Sequence, residues 1–127
     1  MSARSICGVI IASSNPEGLS AFYEKILGLK FVREDHGGLL PHYGADIGEV
    51  HFGIHPAANL NRSGVGNSAT SIAFNVQSLE NTLNVLAESG AVEVAAPHDE
   101  GFGRVASYLD PEGNLFEVVE LCYEFQP

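Results

Sequence analysis

Basic side chains are scarce in this chain: six Lys and Arg stand against sixteen Asp and Glu, a formal charge of −10 at pH 7 over 127 residues. Without a Lys/Arg cluster the chain has no electrostatic footprint for nucleic acid or an anionic membrane surface, which leaves a small molecule or another protein as its partner. Long hydrophobic runs are also missing, and none approaches the roughly 20 residues that span a bilayer. Charge of either sign is low at 17%, yet 45% of residues are hydrophobic, which excludes disorder. A chain of this length is expected to form one globular domain, residues 1–127, that buries about two thirds of its unfolded surface. Only two cysteines occur. Cys7 and Cys122 lie in apolar runs without metal-type spacing, so they read as reduced, buried thiols of a cytoplasmic protein, a disulfide being the alternative. The apolar run Ile6 to Ala12 is at the short limit for the core of a secretory signal, and its β-branched content reads instead as a buried first strand.

The most informative stretch runs from Val105 to Leu121. Asp110-Pro111-Glu112-Gly113-Asn114 supplies Pro where a turn needs φ near −65° and Gly where it needs positive φ, so the flanking apolar runs fold back antiparallel. In the second of these strands Phe116 and Val118 point one way and Leu115, Glu117 and Val119 the other. Glu117 is then a lone carboxylate on an otherwise apolar strand face. Burying such a group is costly without a cation, a donor or a ligand, which makes it a candidate for chemistry.

Taken in order, the chain repeats one pattern. A strand ending near Ala12 leads to Ser14-Asn15-Pro16-Glu17, a helix start, and Leu19, Phe22, Tyr23, Ile26 and Leu27 form its apolar stripe up to Gly28. Leu29 to Glu34 reads as a strand, and Gly37 to Gly48 as a turn with a short irregular strand; His36, His42 and Tyr43 in this region have no assigned place. In Glu49 to His55 the residues alternate, with Val50, Phe52 and Ile54 on one face and Glu49, His51, Gly53 and His55 on the other. The segment 57–68, rich in Asn, Gly and Ser, reads as a linker. Strand, helix and three strands then return: Ser71 to Val76, a helix from Ser78 with Leu79, Leu83 and Leu86 as its stripe, the stop Gly90, the strand Ala91 to Ala95, the loop Pro97 to Gly103, and the hairpin. Gly28 and Gly90 lie about half a chain apart, so the sequence is an internal repeat. Matching the last strands of the halves sets His51 in correspondence with Glu117.

The helix start Pro16-Glu17-Gly18-Leu19-Ser20-Ala21-Phe22-Tyr23, the stop Ile26-Leu27-Gly28-Leu29, and Asp110-Pro111-Glu112-Gly113-Asn114 followed by Glu117 together resemble the glyoxalase, bleomycin-resistance and extradiol-dioxygenase (vicinal oxygen chelate) superfamily over almost the whole chain. The resemblance implies an α+β fold of two βαβββ modules, about 5–56 and 69–123. Their sheets would form a cup with the helices outside, and the chain would form a homodimer. Metal-dependent members draw ligands from the first and last strands of each module. The positions implied here are Gly8, His51, Ser71 and Glu117, of which Gly has no ligand atom and Ser is a poor ligand for a transition metal.

Two function classes follow. In the first, the cup binds a small organic molecule without a catalytic metal or other cofactor: His51 and Glu117 are polar anchors, Gly8 and Ser71 leave room for the ligand, His55 is a further contact, Phe102 stacks on the ligand and Arg104 meets an anionic group. In the second, the chain is an enzyme, a glyoxalase-type lyase or extradiol-type dioxygenase, with a divalent Fe, Mn, Ni or Zn held by His51 and Glu117. Each residue also has a plainer reading. Glu117 would be a structural carboxylate bonded to His51 or Arg104, His55 a partly exposed histidine beside Pro56, and the Phe102 and Arg104 segment a solvated turn. Neither cysteine has a recognisable base partner, and no nucleophile elbow is present.

Overall fold

Both helices start and stop where the side chains require it. In a computed structural model, which describes residues 6–35, 40–60 and 71–122, helix α1 (Pro16–Leu27) is capped by Asn15, whose Oδ1 accepts from Gly18 N at 3.2 Å. Helix α2 (Leu79–Ser89) is capped in the same way by Ser78, whose Oγ accepts from Asn81 N at 3.2 Å. Gly28 and Gly90 end the two helices at φ 67° and 76°, a left-handed conformation that costs glycine nothing.

The chain divides into two units, Met1–Val65 and Gly66–Pro127. Unit one holds β1 (Gly8–Ser13), α1, β2 (Val32–Glu34), β3 (His42–Ile47) and β4 (Val50–Pro56), with a short 3-10 turn at Ala57–Leu60. Its sheet has the order β1-β4-β3-β2, with β1 and β4 parallel and the remaining pairs antiparallel. Unit two repeats this with β5 (Ile72–Asn75), α2, β6 (Val92–Glu100), β7 (Gly103–Leu109) and β8 (Leu115–Leu121), in the order β5-β8-β7-β6. Each unit is a βαβββ module with a four-stranded mixed sheet, so the expected α+β architecture is present.

Each helix covers one face of its own sheet. Tyr23 of α1 packs edge-on against Phe52 of β4 with ring centroids 5.4 Å apart, and Phe31 meets Phe52 at 5.7 Å. Leu19, Tyr23, Ile26, Phe52 and Ile54 are all buried there. Burial of this apolar set is the main stabilising term of the module. In unit two, Phe74, Tyr108 and Phe116 form the corresponding aromatic group. Burial raises the Tyr108 phenol above its ordinary value, and the Glu93 carboxylate adds to the effect. The β7–β8 turn is tied by Asp110, whose buried carboxylate accepts from Glu112 N, Asn114 N and Asn114 Nδ2 at 2.9, 3.0 and 2.8 Å.

Three local expectations change. The region before Gly48 contains a regular strand, β3, which pairs on both sides because its neighbours β2 and β4 supply complete ladders. Beyond Ala95 the chain stays extended to Glu100, because β6 is the edge strand of its sheet and shifts register there, which accommodates Pro97 without a lost ladder bond. Cys7 and Cys122 are free and exposed, since each lies one residue outside its strand. Residues 61–68 of the expected linker, and His36, fall outside the described residues.

Candidate functional site

Strand alternation decides which residues meet on the face of sheet one that α1 leaves uncovered. Register pairs Gly8 with His51 and Ala12 with His55 between β1 and β4, and Gly44 with Gly53 and Asp46 with His51 between β3 and β4. Across β2 and β3, Val32 pairs with Gly44 and Glu34 with His42. Glu34, His42, Asp46, His51 and His55 therefore share one face with Gly8, Gly44 and Gly53.

The polar groups form a connected set. His51 Nδ1 donates to Asp46 Oδ1 at 2.8 Å, and His51 Nε2 lies 3.9 Å from Glu34 Oε1. The other oxygen of Glu34 lies 3.3 Å from His42 Nε2, and the buried His42 ring stacks on His55 with centroids 4.1 Å apart. Glycine makes room for these rings. A Cβ at Gly44 would come within 2.6 Å of His51 Nε2 and 3.0 Å of Glu34 Oε1, and one at Gly53 would come within 3.1 Å of His55 Nε2. His51 and His55 were legible as candidates. Glu34, His42 and Asp46 were not, because only the ladder register brings them beside His51.

Sheet two presents less. Glu117 is half-buried, with Ala73 of β5 and Ser107 of β7 as its cross-strand neighbours. The residue beside Glu117 on the first strand is thus Ala73; Ser71 precedes β5, because the parallel register pairs Ile72 with Phe116. Arg104 is also displaced from the expected position. It pairs with Glu120, three residues from Glu117 and hence on the opposite face, where it lines a groove of about 460 Å³ with Ser78, Leu79, Leu83 and Glu120. Arg104 therefore neither bonds to Glu117 nor shares its face. Phe102 lies 46% exposed in the turn that joins β6 to β7.

With Ala73 in place of Ser71 beside Glu117, the four positions that the resemblance implies for metal ligands are Gly8, His51, Ala73 and Glu117, and neither glycine nor alanine offers a donor atom. Among the described residues no group of three or more His, Cys, Asp or Glu is arranged to hold a metal ion. Two of the four positions carry a donor atom, one fewer than the three protein ligands of a typical catalytic zinc site.

The chain belongs to the glyoxalase/bleomycin resistance protein/dioxygenase superfamily, whose family model matches residues 7–118. Three solved structures share the fold. TnmS3, described as an antibiotic binding protein from Streptomyces sp. CB03234, is 15% identical with a TM-score of 0.74, over 95% of this chain and 98% of that one. A glyoxalase/bleomycin resistance protein/dioxygenase family enzyme from Burkholderia phytofirmans PsJN is 21% identical with a TM-score of 0.75, over 91% and 97%. The oxidase ChaP-H2 is 20% identical with a TM-score of 0.75, over 94% of each chain. No functionally curated protein matches the chain. No helix among the described residues is long and apolar enough to cross a membrane.

Proposed function

We propose that the face of sheet one opposite α1 binds a small organic molecule through His51 and works without a resident metal. The observation that carries this reading is the connected set of imidazole and carboxylate groups that His51, Asp46, Glu34, His42 and His55 form on one face, with Gly8 beside His51 adding no side chain. His55 is a further contact on this face. Glu117 and Phe102 are proposed as the polar and aromatic contacts that module two offers. Family membership supports the reading, and TnmS3 carries an antibiotic-binding description on the same fold. The test is nuclear magnetic resonance (NMR) screening of labelled protein with a fragment library of anionic, neutral and cationic compounds. Saturable shifts centred on His51 are expected, and a library that leaves His51 unmoved would refute the reading.

A metal-dependent lyase or dioxygenase using His51 and Glu117 is the second reading. One feature favours it: a carboxylate bonded to His51 Nδ1 is the arrangement that commonly orients Nε2 toward a metal. The two readings separate on melting with Fe, Mn, Ni or Zn salts. A metal at 100 times its dissociation constant contributes about 2.7 kcal/mol, several degrees for a domain of this size. The metal-free reading expects no shift; a stoichiometric metal, with a shift abolished in Glu117→Gln, would establish the second. We further propose a cytoplasmic homodimer. Two exposed free thiols suit a reducing compartment, and sedimentation as a monomer at micromolar concentration would refute the dimer.

A further inference from the structure

Several carboxylates of unit two have a partner in the structure. Asp110 holds its turn, Glu120 accepts from Leu79 N at 2.8 Å, and Glu100 Oε1 lies 3.2 Å from His98 Nε2. Glu117 is less exposed than Glu120 or Glu100, yet it makes no hydrogen bond or ion pair among the described residues. Its oxygens are accessible, because no buried side-chain oxygen of the described residues lacks a hydrogen bond. A half-buried carboxylate without a donor from the protein carries a desolvation cost that a ligand can offset.

The strand register lays out what surrounds Glu117 on the face opposite α2. Its own row across the sheet is small: Ala73 on β5, Ser107 on β7 and Ala95 on β6 leave room beside the carboxylate. Two residues along β8 runs an apolar row of Leu115, Leu109 and Val92, whose ends are 37% and 59% exposed. With strands about 4.8 Å apart this row is about 10 Å long, and it begins about 7 Å from Glu117. On the other side Val119 and Val105 are buried, and their row ends at His98, whose Nδ1 already meets Ala96 O at 2.8 Å. These rows contain no Lys or Arg; Arg104 lies on the α2 side, in register with Glu120. Glu117 is thus an uncompensated negative charge between two apolar rows in a chain of formal charge −10, which favours a cation. A hydrated inorganic ion would leave the exposed apolar row unused, whereas a cation with a hydrocarbon body covers it.

We infer that Glu117 and the row of Leu115, Leu109 and Val92 bind a protonated alkyl amine, with the ammonium on Glu117 and the hydrocarbon along the row. This rests on the part of the reading above that makes Glu117 the polar contact of module two, and it names the ligand class.

The test titrates labelled protein with hexylammonium, hexanol and hexanoate, following by NMR the Glu117 carboxyl carbon and the methyl groups of Leu115, Leu109 and Val92. Hexylammonium should shift all of them saturably and bind about ten-fold or more tighter than hexanol, as expected for a charge-assisted hydrogen bond, with hexanoate the weakest. Glu117→Gln should bring hexylammonium down to hexanol. Asp99→Asn, which removes a carboxylate from the opposite face, should keep the preference. Val92→Ser, at an exposed edge position, should weaken both probes. Equal binding of the three probes, or a preference that survives Glu117→Gln, would overturn the inference. Methyl shifts that track protein concentration and exclude hexylammonium would overturn it too, since a second copy of the chain would then occupy the row. The His51 reading fails separately: the fragment library is read at His51 and the amine probes at Glu117.

Discussion

Replacing Gly44 by alanine separates the site from the fold. Gly44 has no left-handed backbone, so alanine is allowed there, and in a strand interior alanine is favoured over glycine by about 0.5–1 kcal/mol. Against this gain, the new methyl would lie 2.6 Å from His51 Nε2, 2.7 Å from His51 Cε1 and 3.0 Å from Glu34 Oε1. All three are tips of side chains that rotate away, so the cost is the His51–Asp46 bond and not the sheet. With those side chains 46% and 81% exposed, such a pair contributes about 0–1 kcal/mol. The two effects nearly cancel. Denaturant unfolding should change by less than about 1 kcal/mol, at most a few degrees in Tm, while the His51 ring resonances move. Gly53→Ala, whose methyl would meet His55 and not His51, should leave the His51 resonances near wild type. A Gly44→Ala protein that keeps the His51 resonances would refute the reasoning. A loss of more than about 3 kcal/mol would refute it as well, since only a yielding backbone reaches that range.

Gly103→Ala should behave in the opposite way. At φ 154° its Cβ would strike Glu120 O and lie 2.9 Å from Leu121 Cα, backbone atoms that cannot rotate aside, so a loss of several kcal/mol is expected in denaturant unfolding. Glu120→Ala removes the oxygen that accepts from Leu79 N at 2.8 Å in the first turn of α2, and should cost about 0.5–2 kcal/mol, with Glu120→Gln recovering most of it. Because the Tyr108 phenol is raised above 10.0 in the folded protein, its contribution is fully present below that value and is lost as pH climbs through the folded pKa. Alkaline titration of stability should fall more steeply in the wild type than in Tyr108→Phe.

Much of the fold was legible because its signals are local. Asn15 with Pro16, Ser78, Gly28, Gly90 and the Asp110 turn act within a few residues of themselves, and the alternation around His51 and Glu117 needs only the strand period. Their order and repetition were enough to identify two βαβββ modules. The face of sheet one opposite α1 was another matter. Glycines at 37, 38, 44 and 48 dilute the strand signal around β3, so His42 and Asp46 had no assigned face until β2 and β4 paired with it. Glu34 stands far from His51 in the chain and reaches it only through two ladders. The same dependence moved Ser71 off its assigned position in favour of Ala73 and turned Arg104 to the helix side. A register slip of one residue reverses every face, and register is decided by pairing between strands that the sequence leaves apart. Local chemistry by itself determined the elements and their caps; tertiary pairing decided which side chains meet, because hydrogen-bonded ladders join residues that no sequence period relates.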